Sequence, residues 1–373
     1  MKQPSPRPRL RRKEGAKLLV LTPNPSSAAA TRFRLEQFFP ALRAAGIEPV
    51  LRPFLDEEGF RVLYRRGAPL AKLRTGAQAV VGRTLDLVRA VGADAVLIHR
   101  EAALVGPPIV EWLMTRALDR PVIFDLDDAI WVPYASPTYG ALLSKLLKAP
   151  GKTHFTLGAA AHVIAGNPFV ADYARQYNAR TDIVPTVVDT AQFQPAPPTT
   201  RAVPVLGWIG THSSLQYLRA IVPALTKLAA RRKFVLRVVG ATLEAPGLHV
   251  ENVPWSIERE VADFQGLDIG LYPLVEDAWS LGKSGFKAVQ YMACAVPVVA
   301  SPVGVTVDMV RDGDNGFLAY DDDDWVRRLE QLMESPVLRR ALGENGRAQA
   351  VERWSLAAHA PRVVDIVGSV IKA

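Results

Sequence analysis

The chain has 373 residues, of which 49% are hydrophobic and 22% are charged, and its formal net charge is +8. This length and composition describe a soluble globular protein of two domains, and no stretch approaches the ~20 uninterrupted apolar residues that cross a bilayer. The basic N-terminus has no apolar region behind it, which excludes a secretory signal, and the single cysteine, Cys294, cannot form an internal disulfide. We therefore expect a cytoplasmic protein.

Residues 1–15 are predicted to form a basic tail. Residues 1–14 carry six basic side chains and one acidic side chain, a net charge of +5, and three prolines in this segment favour disorder. Such a cluster attracts anionic lipid headgroups at roughly 1 kcal/mol per basic residue, which predicts a peripheral position at a membrane surface. A solvated tail that improves solubility is the alternative. The tail has no interleaved aromatic residues, so we expect no nucleic-acid partner.

The first domain is predicted to span residues 16–195. Short apolar segments indicate strands at residues 17–25, 93–99, 121–126 and 161–165. Apolar residues recur with helical spacing over residues 31–46. Because strands and helices alternate, the sequence predicts a parallel, doubly wound sheet.

Three carboxylates cluster where the third of these strands ends. Asp125, Asp127 and Asp128 would repel one another unless they hold a cation, a proton or sugar hydroxyls. We favour hydrogen bonds to hydroxyl groups and predict no metal site. His99 ends the preceding strand and could face the same cleft, although a structural role is the commoner one for a lone histidine.

A second domain is predicted over residues 196–355. The proline-rich segment 194–204 cannot form a helix or a central strand, so it marks the linker. Strands are predicted at residues 204–210, 234–241, 268–274, 297–301 and 316–320. Helices are expected over 215–230 and over most of the chain beyond residue 335.

Residues 282–304, GKSGFKAVQYMACAVPVVASPVG, carry the most specific pattern in the chain. A small cationic turn precedes a helix, which is followed directly by a buried strand. A helix N-terminus has unpaired N–H groups and a partial positive charge, so with Lys283 beside it the turn can hold a diphosphate.

This segment resembles the donor-site signature of family 4 glycosyltransferases, and the tail VGVTVDMVRDGDNGFLAY, residues 303–320, continues the resemblance. The family has the GT-B fold, so the resemblance implies an α/β chain with two doubly wound, Rossmann-like domains facing a central cleft. It also implies that the helix over residues 356–373 packs back on the first domain. Residues 184–189 correspond to the family's last strand before the interdomain crossing.

The resemblance implies transfer of a sugar from a nucleotide-diphosphate donor to a hydroxyl acceptor, with retention at the anomeric carbon. The acceptor would be a glycan, a lipid-linked sugar or an envelope polysaccharide, and no cofactor besides the donor is expected. Two alternatives stay open. One is a nucleotide-sugar epimerase of the same fold, and the other is a non-catalytic subunit that binds sugar nucleotides or acts as a scaffold.

Site roles follow from the positions that match the family pattern. Lys283 is expected to neutralise the leaving diphosphate, and Asp127 stands where the family has a histidine near the transferred sugar. Asp128 and His99 are the further catalytic candidates. The expected donor-binding residues are Gly210, Thr211, His212, Ser284, Gly285, Phe286, Lys287 and Gln290.

Two departures from the family pattern lie on the donor side. The arginine and lysine that usually follow the first strand of the second domain are absent from residues 207–218. The paired glutamates eight residues apart are replaced by Gly282 and Gln290. Lys283 and Lys287 are left to supply the positive charge, and the identity of the donor and the activity itself stay open.

Overall fold

The computed structural model describes residues 15–65, 67–132, 149, 151–197 and 201–372. The predicted basic tail therefore lies outside the described residues apart from Gly15. The described chain forms two parallel six-stranded sheets, with strand orders β2-β1-β3-β4-β5-β6 and β12-β11-β10-β7-β8-β9.

The first sheet contains β1 (Ala16–Thr22), β2 (Ile47–Pro53), β3 (Ala95–His99), β4 (Val122–Leu126), β5 (His162–Ala165) and β6 (Thr181–Ile183). The second contains β7 (Val205–Ile209), β8 (Val235–Val239), β9 (Val250–Val253), β10 (Ile269–Tyr272), β11 (Val298–Ala300) and β12 (Gly316–Leu318).

Helices cover both faces of each sheet. The helices before the linker are α1 (Ala29–Arg34), α2 (Phe39–Ala44), α3 (Glu57–Tyr64), α4 (Pro69–Val91), α5 (Ile109–Trp112), α6 (Lys152–Ala159) and α7 (Pro168–Arg175). Those after it are α8 (Leu215–Ala220), α9 (Val222–Ala229), α10 (Glu260–Gln265), α11 (Ala278–Leu281), α12 (Phe286–Ala293), α13 (Thr306–Met309), α14 (Asp322–Glu334), α15 (Pro336–Arg353) and α16 (Leu356–Lys372).

Alternation along β1 shows how each sheet supports two cores. Leu18 and Val20 pack into one buried cluster, whereas Leu19 and Leu21 pack into a second cluster on the opposite face. Successive side chains of a strand point to opposite faces, so a strand covered on both sides is apolar at every position. This is why the central strands could be read from the sequence as uninterrupted apolar runs.

Some elements differ from the sequence-based expectation. β2, β9 and the long helix α4 were not predicted, and β2 and β9 are edge strands, where proline and polar residues are tolerated. The helix predicted over 31–46 is divided into α1, a 3₁₀ turn and α2, which begins at Phe39 with Pro40 in its first turn. Residues 184–189 are not a strand, since only Val188 forms a bridge, to Ser355, and β6 ends just before them.

The C-terminal helix returns to the first domain. Val363, Val367 and Val370 of α16 are buried in the same core as Phe38 and Phe39. The chain crosses over beside residue 188, because the Val188 N–H donates to the Trp354 carbonyl and the Leu356 N–H donates to the Val188 carbonyl. The crossing ties the two domains together at one end of the cleft.

The two domains also touch directly across the cleft. The Arg32 guanidinium lies 2.6 Å from the Glu260 carboxylate, and the Asn167 amide donates to the Gly282 carbonyl at 2.7 Å. A Cβ on Gly282 would lie 2.9 Å from the Ala129 nitrogen and closer still to the Ala129 Cβ. The first domain therefore occupies the space that any side chain at position 282 would need.

We expect Gly282→Ala to force the domains apart, because the added methyl would overlap the backbone of Ala129. The measurement is small-angle scattering, in which the variant should show a larger radius of gyration than the wild type. Gly158→Ala is the matched control, since a Cβ there meets no atom within 4 Å. Equal radii for all three proteins would contradict the contact.

Candidate active site

A cavity lies between the domains at the carboxyl ends of β7 and β10, the edge where doubly wound sheets bind ligands. Its volume is about 200 Å³. Asp128 lines it from the first domain. The second domain supplies the remaining lining residues, which are Trp208, Ile209, Gly210, Thr211, Ser214, Tyr217, Tyr272, Pro273, Leu274, Lys283, Ser284, Phe286 and Lys287.

A helix start faces this cavity. Gly285 precedes α12 with a positive φ of 67°, and a Cβ there would lie 2.7 Å from Met309 Cε and 2.9 Å from Val305 Cγ2. Backbone conformation and packing both require glycine at this position. The first N–H groups of a helix lack intrahelical partners and carry partial positive charge, so this end of the cavity favours an anion.

Two lysines flank the helix start. Lys283 Nζ lies 5.5 Å from the centre of the Tyr217 ring and 5.8 Å from the centre of the Trp279 ring. Lys287 Nζ donates to Gln290 Oε1 at 2.9 Å. Burial lowers the pKa of Lys287 to about 8, with Glu260 opposing the shift and Arg32 adding to it. The charge of Lys287 therefore changes near neutral pH.

Asp128 is the acidic residue that lines the cavity. Its carboxylate lies 3.2 Å from Arg100 Nη2. Burial raises the pKa of Asp128; Arg100 opposes the shift and the negative charge of Asp127 adds to it. A carboxyl group in this setting can exchange a proton at a higher pH than an ordinary aspartate.

Behind Asp128, a buried ionic network holds the other two carboxylates. Asp125 accepts hydrogen bonds from both the Nε and the Nη2 of Arg34, and it lies 2.6 Å from His99 Nδ1. Asp127 accepts two hydrogen bonds from Arg100, at 2.6 and 2.8 Å. Although burial acts in the opposite direction, the arginines and His99 hold the pKa of both carboxyls below the ordinary value.

The network changes the interpretation of the acidic cluster. The sequence suggested that sugar hydroxyls compensate the three carboxylates, whereas in the structure Arg34 and Arg100 do so. Asp127 and His99 are buried and do not line the cavity. In the described part of the chain, no group of three histidine, cysteine or acidic residues is arranged to hold a metal ion.

Most of the predicted donor-binding residues lie at the cavity, and two do not. It brings Gly210, Thr211, Lys283, Ser284, Phe286 and Lys287 to the cavity wall, with Gly285 at the helix start. His212 is exposed outside this wall. Gln290 is fully buried beneath it, and its Nε2 has no hydrogen-bond partner among the described residues.

Several site residues were missed from the sequence. Arg100 has a left-handed backbone with φ 59°, a strained conformation that is common at functional sites, but its pairing with Asp127 joins two different strands and has no local signal. Tyr217, Tyr272 and Leu274 follow buried segments and give the cavity an aromatic and apolar wall. Tyr272 ends β10, Leu274 lies two residues beyond it, and Tyr217 lies in the first turn of α8. These positions at element ends were the available signal.

A second cavity of about 510 Å³ shares Ser284 with the first. Asn167 and Ile183 line it from the first domain, and Val305 and Asp308 line it from the second. The turn before α12 therefore borders two interdomain spaces.

Residues 203–335 match the family described as "Glycosyl transferases group 1". The D-inositol 3-phosphate glycosyltransferase of Streptosporangium roseum is 33% identical over 121 residues, 31% of this chain and 26% of that protein. The enzyme of the same name from Streptomyces bingchenggensis is 26% identical over 303 residues, 71% of this chain and 65% of that protein. Both matches cover less than two thirds of the relative's length.

Solved structures resemble the whole chain. Sucrose-phosphate synthase from Thermosynechococcus elongatus has a TM-score of 0.68 at 16% identity, covering 96% of this chain and 100% of that one. HepE from Anabaena, solved in complex with UDP, has a TM-score of 0.66 at 16% identity, covering 95% and 100%. The predicted α/β fold of the GT-B type is confirmed, as is the resemblance to group 1 glycosyltransferases, from which this chain is divergent.

Asp127→Asn should destabilise the protein by about 3 kcal/mol, because it removes one charge of a buried ion pair and leaves Arg100 incompletely paired. The free energy of unfolding is measured by chemical denaturation. Asp172→Asn is the control, since its pair with Arg175 is exposed and should change stability by under about 0.5 kcal/mol. Equal losses of unfolding free energy in the two variants would show that the buried Asp127 pair stabilises the protein no more than the exposed pair does.

Proposed function

We propose that this chain transfers a sugar from a nucleotide-diphosphate donor to a hydroxyl acceptor. The observation that carries the proposal is the interdomain cavity, in which a helix start and two lysines of one domain face Asp128 of the other. Positive charge on one side suits a leaving diphosphate. The carboxyl on the opposite side suits the sugar or the acceptor hydroxyl.

The chemistry proposed for the donor side is electrostatic. As the bond to the anomeric carbon breaks, negative charge grows on the diphosphate, and Lys283 and the N–H groups at the start of α12 stabilise it. These groups are fixed by the fold before the reaction, so little reorganisation is needed. Retention at the anomeric carbon is proposed from the family resemblance, with the acceptor on the same face of the sugar as the leaving group.

Asp128 is the proposed catalytic carboxyl on the acceptor side, because it lines the cavity and has a raised pKa. It would accept a hydrogen bond from the reacting hydroxyl or from the donor sugar. Asp127 and His99 then act as positioning residues. Asp127 holds Arg100, and Arg100 in turn contacts Asp128.

The size of the cavity sets a condition on donor binding. Small-molecule sites commonly measure roughly 300–1,000 Å³, and this cavity measures about 200 Å³. We therefore propose that the domains separate when a nucleotide sugar binds. The contacts of Arg32, Asn167 and Gly282 are those that would break and re-form.

UDP is the first nucleotide to test as part of the donor, since HepE was solved with UDP and with UDP-glucose. We propose a glycan or lipid-linked acceptor and a peripheral position at the cytoplasmic face of a membrane. The basic residues of the tail are the sequence feature that supports this position.

A non-catalytic subunit that binds sugar nucleotides is the second candidate. It is favoured by Gly282 and Gln290, which stand where the family has two glutamates. A glutamate at position 282 would overlap Ala129 in the closed arrangement. This candidate predicts nucleotide binding without release of nucleotide diphosphate from any donor.

The proposed function is tested by a thermal-shift screen of nucleotide-diphosphate sugars, followed by assays of nucleotide release with the ones that bind. A ligand at a hundred times its dissociation constant stabilises the folded protein by about 2.7 kcal/mol. Release of the nucleotide supports transfer or donor hydrolysis. Binding without release supports the non-catalytic subunit, and the absence of any stabilisation would contradict both.

Lys283→Ala should weaken UDP binding by roughly 10- to 100-fold, which corresponds to a hydrogen bond to a charged group of about 1.5–3 kcal/mol. Calorimetric titration measures the affinity. The melting temperature without ligand should change little, because the alanine removes only the contacts of Lys283 with the Tyr217 and Trp279 rings, worth about 0.5–1 kcal/mol each. Lys227→Ala, at an exposed pair on α9, is the control and should bind UDP like the wild type. Unchanged affinity in Lys283→Ala would remove this residue from the site.

UDP affinity should fall as pH rises through about 8, the pKa of Lys287. Below that pH the ammonium is charged and attracts the diphosphate, and above it the unliganded protein must take up a proton to bind. The affinity for UDP is measured about one pH unit below and about one pH unit above the pKa of Lys287. Lys287→Arg keeps its charge over this range and should show a flat profile. A wild-type profile that is already flat would exclude Lys287 from diphosphate binding.

A further inference from the structure

Helix α4 carries an apolar face that points into solvent. Seven large apolar side chains of this helix are 52–81% exposed, and they are Leu70, Leu73, Val80, Val81, Leu85, Val88 and Val91. Apart from the adjacent pair Val80 and Val81, they are three, four or seven residues apart, which places them on one side of the helix. We call this set the α4 face.

The opposite side of the helix is small and polar. Its buried residues are Ala79, Arg83, Asp86 and Ala90. Arg83 and Asp86 form a buried ion pair at 3.0 Å, and Asp86 also lies 2.8 Å from Arg52 of β2. A helix of a globular domain ordinarily buries its apolar side. Here the polar side anchors the helix and the apolar side is left for a partner.

We propose that the α4 face binds an anionic lipid bilayer, with the helix lying flat in the interface. The proposal rests on the structure of α4 and holds whether or not the chain transfers a sugar. No described helix is both long and apolar enough to cross a bilayer. A helix with one apolar side and charged flanks instead inserts that side among the headgroups.

Charge complementarity favours a bilayer over a second copy of the chain. Residues 65–91 contain six basic residues and a single acidic one, Asp86, and Asp86 is buried in its ion pairs. Arg74 and Arg89 are exposed, and Arg89 also lies 2.8 Å from Asp86. Two copies meeting through this face would bring like charges together, whereas anionic headgroups would neutralise them.

The position at which the basic tail joins the first domain gives independent support for membrane binding by α4. The Asp94 N–H, just beyond the end of α4, donates to the Lys17 carbonyl at 2.9 Å, and the Lys17 N–H donates to the Asp94 carboxylate at 2.9 Å. Residues 1–14, with a net charge of +5, therefore join the domain beside the last turn of α4. A surface that binds α4 also lies within reach of the tail.

Geometry relates this surface to the cleft. The 23 residues of α4 extend about 34 Å at 1.5 Å per residue. The helix lies between the parallel strands β2 and β3, so it runs from the carboxyl edge of the first sheet back to the amino edge. The start of α4 is therefore directed toward the edge of the first sheet that bears Asp128.

The test is cosedimentation with phosphatidylcholine vesicles that contain or lack phosphatidylglycerol. The wild type should bind the anionic vesicles, and the triple variant Leu73→Gln, Val81→Gln, Val88→Gln should bind at least tenfold more weakly. The matched control changes three exposed valines of the second domain, Val307→Gln, Val337→Gln, Val351→Gln, and should bind like the wild type. Arg74→Glu is a second variant, which should weaken binding to the anionic vesicles and reduce its dependence on salt, because it removes part of the attraction that salt screens.

Three results would overturn the proposal. One is loss of binding on removal of residues 1–13 together with full binding by the α4 triple variant. Another is equal weakening by the control. The third is a wild-type dimer in light scattering that the α4 triple variant abolishes, without vesicle binding by either protein. Stabilisation by UDP should be the same in all variants, so failure of this surface is distinguishable from failure of the donor site.

Discussion

The contact between Ala129 and Gly282 determines how the two domains meet. The neighbouring residues in the chain, Asp128 and Lys283, are thereby brought to opposite sides of one cavity. Asn167 holds the same turn by donating to the Gly282 carbonyl. Close packing of the domains therefore requires a glycine at position 282. This requirement explains why one of the two glutamates of the family pattern is absent.

The site also requires that the negative charges of its aspartates are compensated. Three aspartates within four residues would repel one another. Arg34 pairs with Asp125, and Arg100 pairs with both Asp127 and Asp128. Asp125 and Asp127 are held ionised, while burial raises the pKa of Asp128. Of these three carboxyls, Asp128 reaches the cavity and has the raised pKa, and a shifted pKa in a cleft is a common property of reacting groups.

Features encoded by neighbouring residues could be predicted from the sequence. The central strands, the turn before α12 and the C-terminal helix all have local patterns, and the structure contains each of them. The pairing of Arg100 with Asp127 could not be predicted, because it depends on the register of two strands. The apolar spacing of α4 would have predicted a buried face, whereas the structure exposes it. Pattern specifies which side of a helix is apolar but not what covers it.

The account depends most on Asp128 being the carboxyl that faces the reaction. Nucleotide release from a donor that binds should be measured for the wild type, Asp128→Asn and Asp127→Asn, with each rate corrected for the folded fraction. We expect Asp128→Asn to lower turnover by about 100-fold or more, at nearly unchanged UDP affinity, and Asp127→Asn, which acts through Arg100, to lower it by a much smaller factor. The opposite order, or full turnover in Asp128→Asn, would contradict the assignment.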